Sequence, residues 1–293
     1  MSLYPRSVGI VATGSYAPPS RLTNAELEKI VDTSDEWIRS RSGIRTRHIA
    51  DPESALSDLA VPAARTALER AGLAPADVDL IIMATVTADV PVPSTACLIQ
   101  HQLGATHAAA FDLGAACSGF VYALSMAAPL IGVGQYRNAV VLGGDVLSRI
   151  TDYTDRTTCV LFGDAVGAVV LQPVPEPRGL LASYLRSDGS GSTLLTVPAG
   201  GSRKPATRET VQGREHFLRM QGNEVFKFAV RALEDAVLMA LAQAGLTTAD
   251  VSLVIPHQAN LRIIEAAAKR LEIPQERWAV NIQEYGCTSA ASI

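Results

Sequence analysis

The chain contains an internal repeat, and this repeat constrains its fold more than any other feature. Residues 67–82 (ALERAGLAPADVDLII) match residues 240–255 (ALAQAGLTTADVSLVI) at 10 of 16 positions, at a constant offset of 173. Each copy is typical of the end of a helix, a glycine stop, a short turn and a buried strand. Unrelated α/β segments share this pattern, but they rarely share so many identities without a gap. The sequence therefore predicts two similar halves, residues 1–173 and 174–293.

Helices and apolar strands alternate along the chain, which indicates the fold class. Residues 54–73 place apolar or small residues on one helix face, and VDLIIMAT follows as a buried strand. AAAFDL and NAVVLGG are predicted strands on either side of the apolar helix CSGFVYALSMAAPLIG. Near-continuous apolar strands between helices predict an α/β fold whose sheets are covered on both faces.

Composition excludes several classes of protein. The chain is 48% hydrophobic with a formal net charge of −4, which argues against a disordered or nucleic-acid-binding protein. No apolar stretch has the length of a membrane span, and the N-terminus lacks the pattern of a signal peptide. The four cysteines (Cys97, Cys117, Cys159 and Cys287) lack metal-ligand or CxxC spacing. We therefore expect a cytoplasmic protein without a disulfide scaffold or a metal site.

Two residues are candidates for nucleophilic catalysis. Cys117 follows a strand and several small residues, at the first turn of the apolar helix, where the helix dipole favours a thiolate. His257 follows the predicted strand 252–255, and ligands of α/β sheets gather at the carboxyl ends of strands. The alternatives are that Cys117 is a small core residue, that His257 is structural, and that the nearby Asn260 is a helix cap. In two related halves both side chains would reach one central site, which favours acyl transfer.

Several segments together resemble the β-ketoacyl-acyl-carrier-protein synthase III family of the thiolase superfamily. They are NAELEKIVDTSDEWIRSRSGIRTRHIA, AACSGFVYALS, DYTDRTTCVLFGDAVGAVVL, MQGNEVFKFAV, IPHQANLRII and YGCTSAASI. The resemblance implies a thiolase-like fold with duplicated halves in a five-layer αβαβα arrangement, and a homodimer. It also implies a decarboxylative condensation of a short acyl-CoA with malonyl-acyl-carrier-protein, which starts fatty-acid synthesis. Acyl-CoA would be a substrate, and no cofactor is expected.

The resemblance assigns expected roles by position. Cys117 would accept the acyl group, and His257 would stabilise the enolate formed on decarboxylation. Residues matching coenzyme A contacts are Thr33, Trp37, Arg41, Arg156, Asn223 and Phe226, and residues matching the docking patch for the acidic acyl carrier protein are Lys227, Arg262, Lys269 and Arg270. Without the resemblance, WIRSRSGIRTRH would equally fit a solvated basic helix face, and Asn223 a helix cap.

The chain departs from the family pattern at two places. The family motif reads Gly-Asn-Thr-Ser-Ala-Ala-Ser, and this chain has Cys287 at the position of the Asn. In the family, that Asn lies beside the catalytic His and donates a hydrogen bond. Cys287 is therefore a third catalytic candidate, close to Cys117, although it would also fit a tolerated small residue. The offset of 173 predicts a further helix and two strands after Gly286, so the second half is expected to be incomplete. Two alternatives follow, a non-decarboxylating acyltransferase and a catalytically silent fragment that binds coenzyme A or the carrier protein.

Overall fold

A computed structural model describes residues 6–293. Over these residues, no helix combines the length and the apolar character that crossing a membrane requires. The elements in chain order are β1 (Val8–Tyr16), β2 (Arg21–Thr23), α1 (Asn24–Leu27), α2 (Asp35–Ser42), β3 (Thr46–His48), α3 (Leu56–Ala71), β4 (Leu80–Ala84), α4 (Thr95–Leu103), β5 (Ala109–Leu113), α5 (Gly119–Gly132), β6 (Ala139–Asp145), β7 (Ala165–Pro173), β8 (Leu195–Thr196), α6 (Arg208–Gln212), β9 (Arg219–Met220), α7 (Gly222–Ala244), α8 (Leu261–Leu271) and α9 (Ile282–Tyr285).

The first half is built on a five-stranded sheet in the order β1-β7-β6-β4-β5. β4 pairs in parallel with β5 and β6, whereas β7 is antiparallel to both β6 and β1. In β4, Ile81 and Met83 pack in the same core as α3 and α4, and Leu80 and Ile82 pack in the core that contains α5. Because both faces are covered, every residue of β4 is buried, which explains its continuous apolar sequence. The strands and helices predicted in this half are confirmed.

The repeat in the sequence is matched by a repeat in backbone conformation. α3 and α7 both end at a glycine in the left-handed region, Gly72 with φ 62° and Gly245 with φ 70°. A short 3₁₀ turn follows each helix, at Pro75–Asp77 and Thr248–Asp250. These features recur at the spacing of 173 residues, so the repeated sequence encodes the same helix stop and turn twice.

The second half differs from the first where a sheet is expected. The predicted strand 252–255 makes only one isolated bridge, between Val254 and Trp278. Leu253 and Ile255 are about half exposed, at 54% and 53%. A strand needs hydrogen-bonded neighbours, and among residues 6–293 no strand lies along the other edge of this segment. This segment therefore runs without the ladder that β4 makes, although its sequence repeats that of β4.

Candidate active site

Cys117 is presented by a strained turn between β5 and α5. Ala116, just before it, has φ 45°, a left-handed conformation that costs energy for any residue with a Cβ. The 3₁₀ turn Ala116–Ser118 leads directly into α5 at Gly119. Cys117 therefore lies at the N-terminal end of a 14-residue helix, whose dipole stabilises a thiolate.

His257 is held in one orientation by a serine near the end of the chain. Its Nδ1 lies 2.7 Å from Ser292 Oγ, which also accepts a hydrogen bond from the Gln258 N–H at 3.1 Å. The single hydroxyl proton of Ser292 is donated to the Ser289 carbonyl at 2.9 Å, so Ser292 accepts from the histidine. This pattern keeps one proton on Nδ1 whether the ring is neutral or charged. A second proton, when the ring is charged, lies on Nε2, which faces the sulfur of Cys287.

Cys287 lies at the same site, and hydrogen bonds hold both its backbone N–H and its backbone carbonyl in place. Its N–H donates to the Leu161 carbonyl at 2.8 Å, and its carbonyl accepts from the Gly163 N–H at 3.0 Å. The preceding Gly286 has φ 68°, and a Cβ there would lie 2.8 Å from the Leu161 oxygen. The glycine thus permits this close approach. The Cys287 side chain is buried, with its Sγ 3.8 Å from His257 Nε2.

The three groups form one electrostatic unit. A hydrogen bond from Cys287, opposed by burial and supported by the charge of His257, holds the pKa of the Cys117 thiol well below its usual value. Burial disfavours the charge on His257, but the Cys117 thiolate outweighs this effect, and the pKa of His257 is raised. The same hydrogen bond to Cys117, together with burial, raises the pKa of Cys287 well above its usual value. These opposite shifts favour transfer of the Cys117 proton to His257, whereas the thiol of Cys287 keeps its proton beside them. Among the described residues, no group of three ligating side chains could hold a metal ion.

Sequence reasoning missed three residues that support this site. Ser292 orients His257, and Ser289 adds a hydrogen bond to Cys117. Gln258 is buried and donates to the carbonyls of Pro256 and Ala279 at 2.9 and 3.0 Å, which ties the backbone next to the histidine to the segment that contains Ala279. All three lie within the motifs IPHQANLRII and YGCTSAASI, but their partners depend on how the two segments pack together.

Two of the coenzyme A candidates lie in direct contact. The Arg156 guanidinium lies over the Trp37 ring, 5.3 Å from its centroid, and donates to the Asp32 carbonyl at 2.7 Å. Thr33 follows Asp32, and its buried hydroxyl has no hydrogen-bond partner. Arg41 lies one turn beyond Trp37 on α2, with an exposed side chain. The structure therefore brings Thr33, Trp37 and Arg156 together at one surface.

The remaining candidates lie on α7 and α8. The Arg262 guanidinium is 5.8 Å from the centroid of the Phe226 ring, and both residues line a groove of about 710 Å³ together with Lys269. Lys227 and Arg270 each form an ion pair with a glutamate of α7, at 2.9 and 2.5 Å.

Two asparagines, Asn223 and Asn260, are candidates for helix caps. Asn260 caps α8 by accepting from the Arg262 N–H at 2.9 Å, as its capping alternative predicted. Asn223 lies exposed inside the first turn of α7, where Gln221 is the N-cap residue, so the capping interpretation of Asn223 is wrong. An exposed amide at this position remains open to a ligand.

Comparisons with known proteins identify the family. Residues 111–189 match the model for 3-oxoacyl-[acyl-carrier-protein] synthase III, and residues 241–293 match the model for its C-terminal part. The β-ketoacyl-[acyl-carrier-protein] synthase III of Caldanaerobacter subterraneus subsp. tengcongensis is 53% identical over 98% of this chain and 87% of its own length. That of Desulfitobacterium hafniense strain DCB-2 is 55% identical over the same shares.

A solved structure gives the same answer for the fold. The crystal structure of 3-oxoacyl-[acyl-carrier-protein] synthase III from Aquifex aeolicus VF5 is 48% identical, with a TM-score of 0.90 over 98% of this chain and 88% of that one. The predicted thiolase-like α/β fold is thereby confirmed. The similarity in sequence and in structure extends over nearly the whole chain, and the chain belongs to the β-ketoacyl-[acyl-carrier-protein] synthase III family.

Proposed function

We propose that this protein condenses a short acyl-CoA with malonyl-acyl-carrier-protein, with loss of carbon dioxide, and so starts fatty-acid synthesis. The observation that carries the proposal is the position of Cys117 at the start of α5 beside His257, where the pKa of the thiol is lowered and that of the imidazole is raised. The reaction uses acyl-CoA as a substrate and needs no cofactor. Family membership at above 50% identity supports the same activity.

The geometry supports a two-stage reaction. In the first stage, the Cys117 thiolate attacks the thioester carbonyl of acyl-CoA, the new acyl–sulfur bond forms, and the bond to the coenzyme A sulfur breaks. The coenzyme A thiolate leaves and takes its proton from solvent, so His257 keeps its proton on Nε2. In the second stage, the malonyl group loses its carboxylate as carbon dioxide, and His257 Nε2–H stabilises the enolate oxygen. The enolate carbon then attacks the acylated Cys117, and the thiolate is released. Cys287 lies 3.8 Å from the same Nε2, so its thiol is the second donor available to that oxygen.

In this proposal the two substrates, acyl-CoA and the acyl carrier protein, bind at different surfaces of the protein. We assign the adenine of coenzyme A to the Trp37–Arg156 pair, because a planar cation and an aromatic ring 5.3 Å apart can separate to sandwich a base. Thr33 and Arg41 would add polar contacts, and Asn223 and Phe226 would line the path of the pantetheine arm. The groove lined by Arg262 and Lys269 fits the acidic carrier protein, and Lys227 and Arg270 would extend it if their ion pairs open.

A homodimer in the cytoplasm is part of the same proposal. β5 is an edge strand of the five-stranded sheet, and its Phe111 is 39% exposed. Val92 is 85% exposed, and the family resemblance implies that a partner subunit closes the acyl pocket at this position. An uncovered edge strand beside an exposed apolar loop is suited to pairing with a second copy. The test is the mass of the protein in solution, by sedimentation or light scattering.

One observation favours the alternative of a non-decarboxylating acyltransferase. The second donor near His257 is a thiol, and a thiol is a weak hydrogen-bond donor. Two measurements separate the candidates. Intact mass after mixing with acetyl-CoA reports acylation, which a silent fragment lacks. Release of carbon dioxide from malonyl-acyl-carrier-protein then reports condensation, which a simple acyltransferase lacks.

A further inference from the structure

We propose that Cys287 is a resolving thiol for Cys117, so that peroxide converts the active site into a reversible Cys117–Cys287 disulfide. The inference rests on the proposed nucleophile role of Cys117, and it adds a redox modification site to that role. Its starting observation is geometric. Cys287 Sγ lies 3.8 Å from His257 Nε2, and the turn Ala116–Ser118, which contains Cys117, packs against the turn Ser289–Ser292, which begins two residues after Cys287.

The two thiols differ in solvent exposure, as expected for a thiol that is oxidised first and a second thiol that resolves it. Cys117 is partly exposed, so a small oxidant reaches it first, whereas Cys287 is only 4% exposed. Both sulfurs lie beside His257, with Cys287 Sγ 3.8 Å from its Nε2 and the Cys117 thiol as a second side-chain partner of the ring. The attacking thiol, its target sulfur and a proton acceptor therefore share one enclosed site.

The other two cysteines do not share these features. Cys159 is 1% exposed, packs in the core with Leu27 and Ile38, and has a pKa raised to about 11, mainly by burial. Cys97 is exposed on α4, with its sulfur near Ser94. Neither thiol has a second cysteine as its contact, so rapid disulfide formation is expected only at Cys117 and Cys287.

The chemistry balances with hydrogen peroxide as the named oxidant. The Cys117 thiolate attacks one peroxide oxygen, the O–O bond breaks, and the leaving hydroxide takes the imidazolium proton to form water. Cys117 is now a sulfenic acid, and His257 is neutral. The Cys287 thiol gives its proton to His257 Nε2, and its sulfur attacks the sulfenic sulfur. The S–S bond forms, the S–O bond breaks, and a second water leaves with that proton. Two thiols are oxidised and one peroxide is reduced to two waters.

The disulfide would have two consequences. Cys117 could no longer accept an acyl group, so the enzyme would be inactive until a dithiol such as dithiothreitol reduced it. The sulfenic acid would also be consumed before further peroxide carried it to the irreversible sulfinic acid. An acyl group already on Cys117 would prevent both outcomes, because the sulfur would no longer be free.

The test is intact mass and peptide mapping after treatment with hydrogen peroxide. The protein as isolated should lose two hydrogen atoms, show one Cys117–Cys287 crosslinked peptide, and regain its original mass and its acylation by acetyl-CoA with dithiothreitol. In Cys287→Ser the crosslink cannot form, so Cys117 should gain two or three oxygen atoms and stay unacylated after reduction. Cys97→Ser is the matched control and should behave as the unmodified chain does. Prior acetylation should suppress the crosslink.

Three results would overturn the proposal. They are a crosslink that involves Cys97 or Cys159 instead, peroxide damage in the unmodified chain that dithiothreitol does not reverse, and full reversibility in Cys287→Ser. Circular dichroism of the serine variant shows whether it folds. Acylation of the untreated protein is measured in parallel. A protein that forms the disulfide but never accepts acetyl groups would contradict the proposed function and leave the redox site intact.

Discussion

Replacing Cys287 with asparagine should raise the rate of decarboxylation by about 10²-fold or more, the scale of one oxyanion donor. The Cys287 backbone is fixed by hydrogen bonds to Leu161 and Gly163, so a new side chain would start from the same position. The existing sulfur lies 3.8 Å from His257 Nε2, beside the place where the enolate oxygen forms. An asparagine amide is longer than the thiol and is a stronger donor, so it can reach that oxygen.

The magnitude follows from comparing donors in the same place. A factor of 10² in rate corresponds to about 2.7 kcal/mol of transition-state stabilisation. A neutral thiol supplies only part of this, because its S–H bond is weakly polar. The Cys287 thiol is also committed to the Cys117 sulfur, and that bond competes with donation to a substrate oxygen.

The assay is release of labelled carbon dioxide from malonyl-acyl-carrier-protein by enzyme that has already been acylated. Cys287→Ser is the control, because it keeps a short side chain and replaces the thiol by a hydroxyl, and it should fall between the other two. Acylation should change much less, since Cys117 remains in place and the asparagine amide can replace the thiol as a hydrogen-bond donor to its sulfur. An asparagine variant that folds, acylates and releases carbon dioxide at the original rate would show that the amide is not needed.

Further predictions concern the nucleophile, the coenzyme A surface and the turn at Gly286. Cys117→Ala should abolish acylation in intact mass measurements, whereas Cys97→Ala should retain it. The rate of Cys117 alkylation by iodoacetamide should increase with pH, and the midpoint of this increase should lie at a lower pH than for an ordinary thiol. The reason is that the pKa of Cys117 is lowered, mainly by the hydrogen bond from the thiol of Cys287. Arg156→Ala should weaken acyl-CoA binding, measured by calorimetry, but hardly change reaction with a small thioester lacking the nucleotide; equal losses would mean that the arginine is structural. Gly286→Ala should lower the free energy of unfolding by about 2–3 kcal/mol, because its φ is 68° and a Cβ meets a carbonyl oxygen at 2.8 Å. Gly245→Ala, with a similar φ but open space around it, should lower it by only about 1–2 kcal/mol in the same denaturant titration.

The sequence alone predicted the first half well, because its signals are local. β4 is apolar throughout since it is covered on both faces, and the helix between AAAFDL and NAVVLGG is found as α5. The strand at 252–255 was not predicted correctly, because among residues 6–293 this segment makes a single isolated bridge, between Val254 and Trp278, and no ladder. Strand formation depends on neighbours distant in sequence, and a local pattern does not show whether those neighbours are present.

The site itself was predicted in part. Cys117, His257 and Cys287 were each selected from their motifs, and the structure places them in contact, while their catalytic roles remain predictions. The orientation of the imidazole could not be predicted from the sequence. It depends on whether Ser292 donates its single hydroxyl proton to the Ser289 carbonyl or to His257, which are 3 and 35 residues away. Such a network exists only after the two segments pack.

The repeat explains why a thiol at position 287 meets the nucleophile at all. Ala116 and Ser289 are 173 residues apart, and both are non-glycine residues with positive φ, at 45° and 52°. The two halves therefore make the same strained turn, and each turn points a side chain at a shared centre. In the first half that side chain is Cys117, one residue after the strained position, and in the second it is Cys287, two residues before it. Whether the centre carries an amide or a thiol is thus decided by the residue at position 287. We expect the thiol to be a weaker donor than an amide and, by the redox proposal, to be the partner of Cys117 in a disulfide.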